Sequence, residues 1–264
     1  MGTAPPLAHP LPVVTAAAHW QQVDFISDIH LDAHAPSTFE AWQQYLAHTA
    51  ADALFILGDL FEVWVGDDTQ DAFALACTQA LAQASQKRAV YFVCGNRDFL
   101  IGQHWLASTG IQGLSDPSVL ALGQHRMLLT HGDSLCLDDV DYLQFRQLVR
   151  APEWQQQFLA KPLQERQSIA RGLREQSEAR KKTQTMYADV DDQAAVAWLK
   201  QTDCQTLIHG HTHKPATHAL GEGLKRWCLS DWDAQAPSPR LEVLTWLRSQ
   251  ANSPSKGLSR VALS

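Results

Sequence analysis

The sequence predicts an α/β fold, in which strands alternate with helices and polar clusters follow the strands. Short segments rich in β-branched and aromatic residues recur along the 264-residue chain, and each ends in a polar cluster. Helix-compatible stretches lie between several of them, as at 39–50 and 72–86, which is the alternation typical of an α/β sheet. A hydrophobic content of 45% is enough for one large domain with its own core.

The predicted strands are, in chain order, VDFI before Ser27, ALFIL before Gly58, AVYFVC before Gly95, RMLL before Thr130 and TLI before His209. Helices that cover both faces of a sheet leave only the strand ends open, so binding sites lie at the carboxyl ends of the strands. Each cluster of candidate ligands in this sequence follows one of these strands.

Composition and charge exclude several classes of protein. The formal net charge of -7 argues against a protein that grips nucleic acid through a basic surface, so we expect no nucleic-acid partner. The five cysteines form no CxxC pair, which argues against a disulfide framework or a zinc cluster and favours a reducing cytoplasm. No apolar run approaches the roughly 20 residues needed to cross a bilayer. We expect a flexible leader over 1–22, a domain over 23–250 and a flexible tail over 251–264.

The polar clusters offer groups that bind metals or phosphate. SDIH supplies Asp28 and His30, two residues apart on an extended chain, so both side chains point the same way. Asp59 follows a glycine, which lets the backbone come close to a bound ion. GNRD gives the amide oxygen of Asn96 and the guanidinium of Arg97, which can grip phosphate. HGD and GHTH add three imidazoles, those of His131, His211 and His213.

Taken singly, each cluster is more often an ordinary turn than a site. Independent turns would not be expected to supply carboxylates, an amide and imidazoles at five successive strand ends. A mixed set without thiolates suits manganese, iron or zinc. Seven such groups exceed the need of one ion, and two metals roughly 3.5 to 4 Å apart are a standard device for phosphoester displacement. The sequence therefore predicts a dinuclear hydrolase in which two cations activate a shared water.

The motifs SDIH, GDLFE, GNRD, HGD and GHTH, in this order between about Val23 and Pro215, resemble the signature of the calcineurin-like metallophosphoesterase superfamily. The resemblance implies a four-layer αββα sandwich in which two sheets pack together. It assigns one metal to Asp28, His30, Asp59 and His213. It assigns the second to Asp59, Asn96, His131 and His211, so that Asp59 bridges. The catalytic residues that it implies are Asp59, Asn96, Arg97, His131 and His211.

Longer matches narrow the resemblance. The segments ILGDLFEVWVGDD, GNRDFLIG, HGDSLCLDD and LIHGHTHKP are similar to the branch of that superfamily that acts in bacterial lipid A biosynthesis. The resemblance implies hydrolysis of the pyrophosphate of UDP-2,3-diacylglucosamine to UMP and 2,3-diacylglucosamine 1-phosphate, most often with Mn²⁺. It implies an acylated nucleotide-sugar substrate and peripheral contact with the cytoplasmic face of the inner membrane, and no obligate protein partner. The substrate contacts that it implies are Asn96, Arg97, Asp139, Ser177, Lys181, Gln184 and His211.

The segment between His131 and His211 is too long for a simple connection, so we expect a helical cap inserted at about 138–192. Pro152 and Pro162 stand where helices could start. We expect the apolar inner side of the cap, including Phe158, to line a groove for acyl chains. The stretch from Arg146 to Lys182 holds nine Lys or Arg and four Glu, which predicts a basic outer face toward anionic lipids, although a solvated helix face is an equal alternative.

Two other functions stay open at this stage. One is a different nucleotide pyrophosphatase or phosphodiesterase on the same scaffold, against which the long apolar cap argues. The other is a non-catalytic scaffold that keeps the fold for protein binding. Such a scaffold should have lost ligands, and all seven are present in the sequence.

Overall fold

The computed structural model describes residues 4–7, 10–183, 188–248 and 257–263, with only the backbone of 175–183. Its strands form two six-stranded sheets. The first has the order β12-β11-β2-β3-β4-β5, with strands Gly257–Ala262, Glu242–Leu247, Gln22–Ile26, Ala53–Leu57, Ala89–Val93 and Gln112–Leu114. The second has the order β1-β6-β7-β8-β10-β9, with strands Val13–Thr15, Ser118–Leu122, His125–Leu129, Thr206–His209, Leu224–Cys228 and Ala216–Gly221.

Parallel pairing brings the strand ends that carry the polar clusters to common edges. In the first sheet β2, β3 and β4 are parallel neighbours, with Ile26 opposite Ile56 and Ile56 opposite Phe92. In the second sheet β7 and β8 are parallel, with Leu129 opposite Ile208. The residues that follow these five strands are therefore neighbours within each sheet, as the sequence predicts.

The alternation of side chains along the strands separates three cores. On β3, Phe55 and Leu57 pack toward the second sheet, where they meet Met127 and Ile208. Ile56 points the other way, into the core beneath the helices of the first sheet. A third core lies between the second sheet and its own helix. Both sheets are buried on two faces, which explains why β3 is apolar throughout rather than alternating.

Helices cover the outer face of each sheet and complete the predicted αββα sandwich. The first sheet carries α1 (Pro36–His48), α2 (Ala72–Ser85) and α3 (Gln103–Thr109), and α7 (Asp192–Thr202) covers the second. Local sequence explains where they begin. Asp71 caps α2 by accepting a hydrogen bond from the backbone N–H of Ala74, and α1 has proline in its first turn.

In the part of the cap that the structure describes there are three α-helices, α4 (Val140–Val149), α5 (Pro152–Leu159) and α6 (Leu163–Thr183). Pro152 is the first residue of α5 and Pro162 directly precedes α6, as the sequence predicts. Phe158 is only 5% exposed, and its ring stacks on Trp154 with centroids 4.8 Å apart. The prediction that Phe158 lines a groove for acyl chains is therefore wrong, because this ring packs into the core that joins the cap to the domain.

Several basic side chains of the cap point toward the domain rather than outward. Arg166 is 2% exposed and donates hydrogen bonds to the carbonyls of Lys161 and Val65 and to the carboxylate of Asp68. Arg150 donates to the carbonyl of Gly95 over 2.8 Å. For these arginines the predicted basic outer face is wrong, since charge counted along the sequence does not reveal which side of a helix is anchored.

The two chain ends also differ from the predicted flexible leader and tail. Residues 13–15 form β1, which pairs in parallel with β6. The carbonyl of Pro5 accepts a hydrogen bond of 2.8 Å from the indole of Trp198. Near the other end, β12 pairs along its whole length with β11. No helix among the described residues is both long and apolar enough to span a bilayer.

Candidate metal centre

Seven side chains from five loops meet where the two sheets come together. Each loop directly follows one of the strands β2, β3, β4, β7 and β8. The side chains are those predicted as ligands, namely Asp28, His30, Asp59, Asn96, His131, His211 and His213. They form two groups that share the fully buried carboxylate of Asp28 at their boundary.

The first group consists of Asp28, His30 and His213. The Nε2 atoms of the two imidazoles lie 3.2 Å apart, and Nε2 of His213 is 3.3 Å from Oδ1 of Asp28. Two ring nitrogens and a carboxylate oxygen thus point at one another. A cation between them would satisfy all three lone pairs.

The second group surrounds the amide oxygen of Asn96. This oxygen is 3.0 Å from Nε2 of His131 and 2.9 Å from Nδ1 of His211. Oδ1 of Asp59 lies 3.7 Å from Nε2 of His131, and Asp28, Asp59 and His131 together form a second set of closely spaced ligand atoms. Carboxylate, amide and imidazole ligands without thiolates fit a divalent metal of the manganese, iron or zinc type.

The backbone at these positions is held in an unfavourable conformation. Asp28, His30, Asp59, His211 and His213 all have φ between 51° and 68°, in the left-handed region. Such strain costs on the order of 1–3 kcal/mol per residue and clusters at functional sites. Its presence at five of seven candidate ligands indicates that the surrounding fold imposes their directions.

Gly95 leaves room for the carboxylate of Asp59. A Cβ atom at Gly95 would overlap Oδ1 and the backbone N of Asp59. The glycine before Asn96 therefore allows strand ends β3 and β4 to approach each other, which brings their ligands within reach of one ion.

The electrostatics of the centre favour positive charge. Burial disfavours the charged form of Asp28, but the hydrogen bond and charge of His213 hold the pKa of this carboxyl well below its usual range. Burial alone would lower the pKa of His131, yet the carboxylates of Asp59 and Asp28 raise it to about 9. Burial, followed by the charge of His131, lowers the pKa of His211 to about 4. The protein without metal thus keeps a proton on His131, in the place where a cation would neutralise the same carboxylates.

Glu62, which the sequence reasoning did not single out, orients the first group. Its carboxylate lies 2.9 Å from Nδ1 of His30, and it also forms ion pairs with Arg97 over 3.0 Å and with Arg174 over 3.1 Å. A carboxylate on the outer nitrogen of an imidazole fixes the ring and leaves Nε2 free for a metal. Glu62 is the last letter of the GDLFE motif, but the motif by itself does not reveal the contact with His30.

Asp98 and Asp133 hold the loops that carry the candidate ligands in place through hydrogen bonds and an ion pair. Asp98 is fully buried and accepts hydrogen bonds from the backbone N–H groups of Leu60 and Gly95, over 2.7 Å each. Asp133 accepts from Nε of Arg146 over 2.8 Å and from the hydroxyl of Tyr142. Both are the final letters of quoted motifs, GNRD and HGD, but their role as loop supports appears only in the fold.

The predicted substrate contacts are only partly placed. The backbone N–H of Arg97 donates to Asp59, and its guanidinium, 20% exposed, forms an ion pair with Glu62 beside the centre. Asp139 caps α4 by accepting from the backbone N–H of Tyr142 over 3.1 Å. Ser177 and Lys181 lie in the last part of α6, over 175–183, where only the backbone is described. Gln184 lies outside the described residues.

Two concavities stand out, at opposite ends of the first sheet. One of about 320 Å³ borders His30 and His213 and extends to Asp233 and Arg240. The larger, of about 500 Å³, is lined by residues 49–52 and 87–89, at the ends of β3 and β4 that face away from the centre. We assign the chemistry to the end that carries the ligands, since volume alone does not define a site.

The chain belongs to the calcineurin-like phosphoesterase family, whose model matches residues 22–215. This match confirms the predicted class, a metal-dependent hydrolase. Among its relatives, UDP-2,3-diacylglucosamine hydrolase of Chromobacterium violaceum is 43% identical over 219 residues, which cover 80% of this chain and 90% of that protein. The proteins of the same name from Aromatoleum aromaticum and Bordetella pertussis are each 42% identical, over 81% of this chain and 90% and 86% of theirs.

Proposed function

We propose that this protein hydrolyses the pyrophosphate bond of UDP-2,3-diacylglucosamine, releasing UMP and 2,3-diacylglucosamine 1-phosphate. The observation that carries the proposal is the similarity to relatives named for this substrate, over about four fifths of the chain. The presence of all seven candidate ligands in one cluster supports it, because a non-catalytic scaffold would not need to keep them.

In this proposal some residues hold the metal ions and others stabilise charge on the substrate phosphate. A pair of divalent cations held by the seven ligands would supply Lewis-acid charge that lowers the pKa of the attacking water. Arg97 is placed to stabilise negative charge on the phosphate. Its backbone N–H is held by Asp59, and Nη1 of its guanidinium is paired with Glu62. His211, with its lowered pKa, is neutral at pH 7 and free to bind through a nitrogen lone pair.

We propose Mn²⁺ as the resident metal and Asp59 as the bridging ligand. The ligand set contains oxygen and imidazole donors and no sulfur, which manganese accepts readily. Iron and zinc accept it as well, so metal analysis of the purified protein decides this part. A protein isolated with zinc, and active only with zinc, would contradict it.

Recognition of the sugar and acyl chains belongs, in this proposal, to the cap. Asp139, Ser177, Lys181 and Gln184 are proposed to contact the head group, together with Asn96, Arg97 and His211. Apolar side chains that remain exposed on the cap are proposed to receive the acyl chains, namely Val140, Phe145, Leu148, Leu159 and Leu173.

The direct test is release of UMP from UDP-2,3-diacylglucosamine by manganese-reconstituted protein. Asp59→Ala and His131→Ala should each lower kcat/KM more than about a hundredfold, because each removes a ligand worth several kcal/mol of transition-state stabilisation. Asp203→Asn, at the exposed end of α7, is the matched control and should keep wild-type activity. Hydrolysis of other nucleotide pyrophosphates in preference to this substrate would instead support a different activity on the same scaffold.

We also propose peripheral contact with the cytoplasmic face of the inner membrane, through the cap. The substrate is a lipid, and five of the cap's nine cationic residues, Arg171, Arg174, Arg180, Lys181 and Lys182, lie within 171–182. The protein should pellet with anionic vesicles at low salt and be released as salt is raised. Equal binding to neutral vesicles, or none to either, would contradict this.

A further inference from the structure

A groove with several charged side chains in its wall leads away from the first ligand group on the side of Trp232. It has a volume of about 320 Å³, at the small end of the range of roughly 300–1,000 Å³ typical of ligand pockets. It starts at His30 and His213 and is bounded by Thr38, Asp231, Asp233 and Arg240. We call it the rim groove.

The outer wall of the rim groove is preorganised. The backbones of Asp233 and Arg240 exchange two hydrogen bonds, of 2.9 and 3.0 Å, which close the loop between them. The guanidinium of Arg240 donates through Nε and Nη2 to Asp231, and Nη2 also reaches Asp233. The backbone N–H of Ala234 donates to the hydroxyl of Thr38, which ties the loop to α1. A wall held in this way loses little entropy when it binds a ligand.

This wall connects directly to the metal ligands. Asp231 lies 3.7 Å from Nδ1 of His213, and the backbone N–H of Trp232 donates to the carbonyl of Asp28 over 3.0 Å. A group bound in the rim groove would therefore lie next to a phosphate held at the centre.

The charges of the rim groove favour a neutral, polar group over a further anion. Three carboxylates border it, those of Glu62, Asp231 and Asp233, against the two guanidinium groups of Arg97 and Arg240. Each carboxylate oxygen of Asp233 accepts one hydrogen bond, so each keeps a second lone pair. Nη1 of Arg240 has no hydrogen-bond partner among the described residues. Sugar hydroxyls and the edge of a pyrimidine base both donate and accept hydrogen bonds, so they can pair with the Asp233 oxygens and with the N–H groups of Arg240.

The first helix of the cap, α4, stands beside a different part of the centre, whereas Arg174 of α6 reaches Glu62 at the edge of the rim groove. The ring of Tyr142 on α4 lies against His211, with centroids 5.8 Å apart, and Arg150 bonds Gly95. If the acyl chains and their sugar lie under the cap, the other half of the substrate must leave the phosphates elsewhere. The rim groove is open next to His30 and His213, and the charged side chains of Asp231, Asp233 and Arg240 in its wall do not suit acyl chains.

We propose that the rim groove holds the nucleoside of the substrate, with Asp233 and Arg240 as its hydrogen-bonding partners. The inference rests on the proposed function for the identity of the nucleotide, uridine monophosphate. It assigns a role in recognition to the loop at 231–240, which carries none of the seven ligands.

The test compares binding of UMP and inorganic phosphate to the manganese-reconstituted protein by titration calorimetry. The Kd for phosphate divided by the Kd for UMP measures how much the nucleoside adds to the affinity. Asp233→Asn and Arg240→Lys should each lower this ratio about tenfold, the usual effect of losing a hydrogen bond to a charged group. Asp203→Asn should leave it unchanged, and circular dichroism checks that each variant is folded.

An unchanged ratio in both folded variants would overturn the proposal, as would a wild-type protein that binds UMP no more tightly than phosphate. This binding test can succeed or fail independently of the hydrolysis test of the proposed function. If the variants lower the ratio while UDP-2,3-diacylglucosamine is not hydrolysed, the groove binds a nucleotide and only the lipid substrate is wrong.

Discussion

His131 is the residue at which burial and charge compete most clearly. It has no exposed surface, and Nδ1 is fixed by the carbonyl of Leu57 over 2.9 Å, so that Nε2 faces Asn96 and Asp59. The carboxylates nearby raise its pKa to about 9. A metal ion needs the neutral imidazole, so metal and proton compete for the same nitrogen.

We therefore predict that cation binding releases a proton and strengthens as pH rises from 6.5 to 9. The raised pKa gives the metal-free protein a contribution to stability that is complete below the unfolded value near 6.5 and is lost as pH rises through about 9. The Tm of chelated protein should fall across this range, while the affinity for Mn²⁺ measured by calorimetry rises. An affinity that is independent of pH between 6.5 and 9 would contradict this.

The residue types of the centre could be predicted from the sequence, but their supports could not. Asp28 and His213 stand out because acids and imidazoles follow strands at two-residue spacing. Glu62 supports the centre through its contact with His30, and no spacing rule reports a contact between two loops. Arg97 was predicted on chemistry alone, and its ion pair with Glu62 shows that a carboxylate already shares its guanidinium.

At the scale of elements, α4 connects the cap to the centre. Arg146 on this helix pairs with the buried Asp133, directly after the loop of His131, and it approaches Asp116 to 3.4 Å. Burial disfavours the charged form of Asp133, but the charge of Arg146 holds the pKa of this carboxyl well below its usual range. The pair thus joins the base of the cap to the loop that carries a candidate ligand.

Arg146→Met should lower the free energy of unfolding by about 3 kcal/mol, because it leaves a buried carboxylate without its cation. Arg171→Met, on the exposed side of α6, is the matched control and should change stability by less than about 0.5 kcal/mol. Urea denaturation measures both. Since the pKa of Asp133 is lowered, the contribution of the pair is present above about pH 4 and is lost as pH falls. Equal stability of Arg146→Met and the wild type at pH 7 would contradict the prediction.

The exposed apolar side of α4 provides the test of the acyl site. Leu148 is 57% exposed, so Leu148→Gln should barely affect folding. If this face receives acyl chains, the change should raise KM for the diacylated substrate about threefold to tenfold while kcat is kept. Leu75→Gln on α2, where Leu75 is 47% exposed, should have no effect. Equal KM values for the two variants would exclude this face.

Elements were predicted unevenly, for a physical reason. Buried parallel strands such as β3 are continuous apolar runs and stand out in the sequence. The edge strand β1 has three residues and, among the described strands, pairs with β6 alone, so neither its length nor its pattern marks it in a proline-rich segment. The inward direction of Arg166 is likewise set by Val65 and Asp68, about a hundred residues earlier in the chain.

At the scale of the whole molecule, the centre exists because two sheets share one buried interface. Phe25 and Phe55 of the first sheet pack against the second through the core that contains Ile208. This packing fixes the distance between the ligands that follow β2, β3 and β4 and those that follow β7 and β8. Asp28 accepts a hydrogen bond of 2.9 Å from the backbone N–H of His211, which ties the two sheets together at the centre itself.

The central claim, that this interface holds two metal ions, is tested most directly by anomalous diffraction. Crystals grown with excess MnCl₂ should show two manganese peaks within the cluster, roughly 3.5 to 4 Å apart. One peak should lie nearest Asp28, His30 and His213, and the other nearest Asn96, His131 and His211. A single peak, or fully occupied manganese elsewhere while these side chains bind none, would contradict the account.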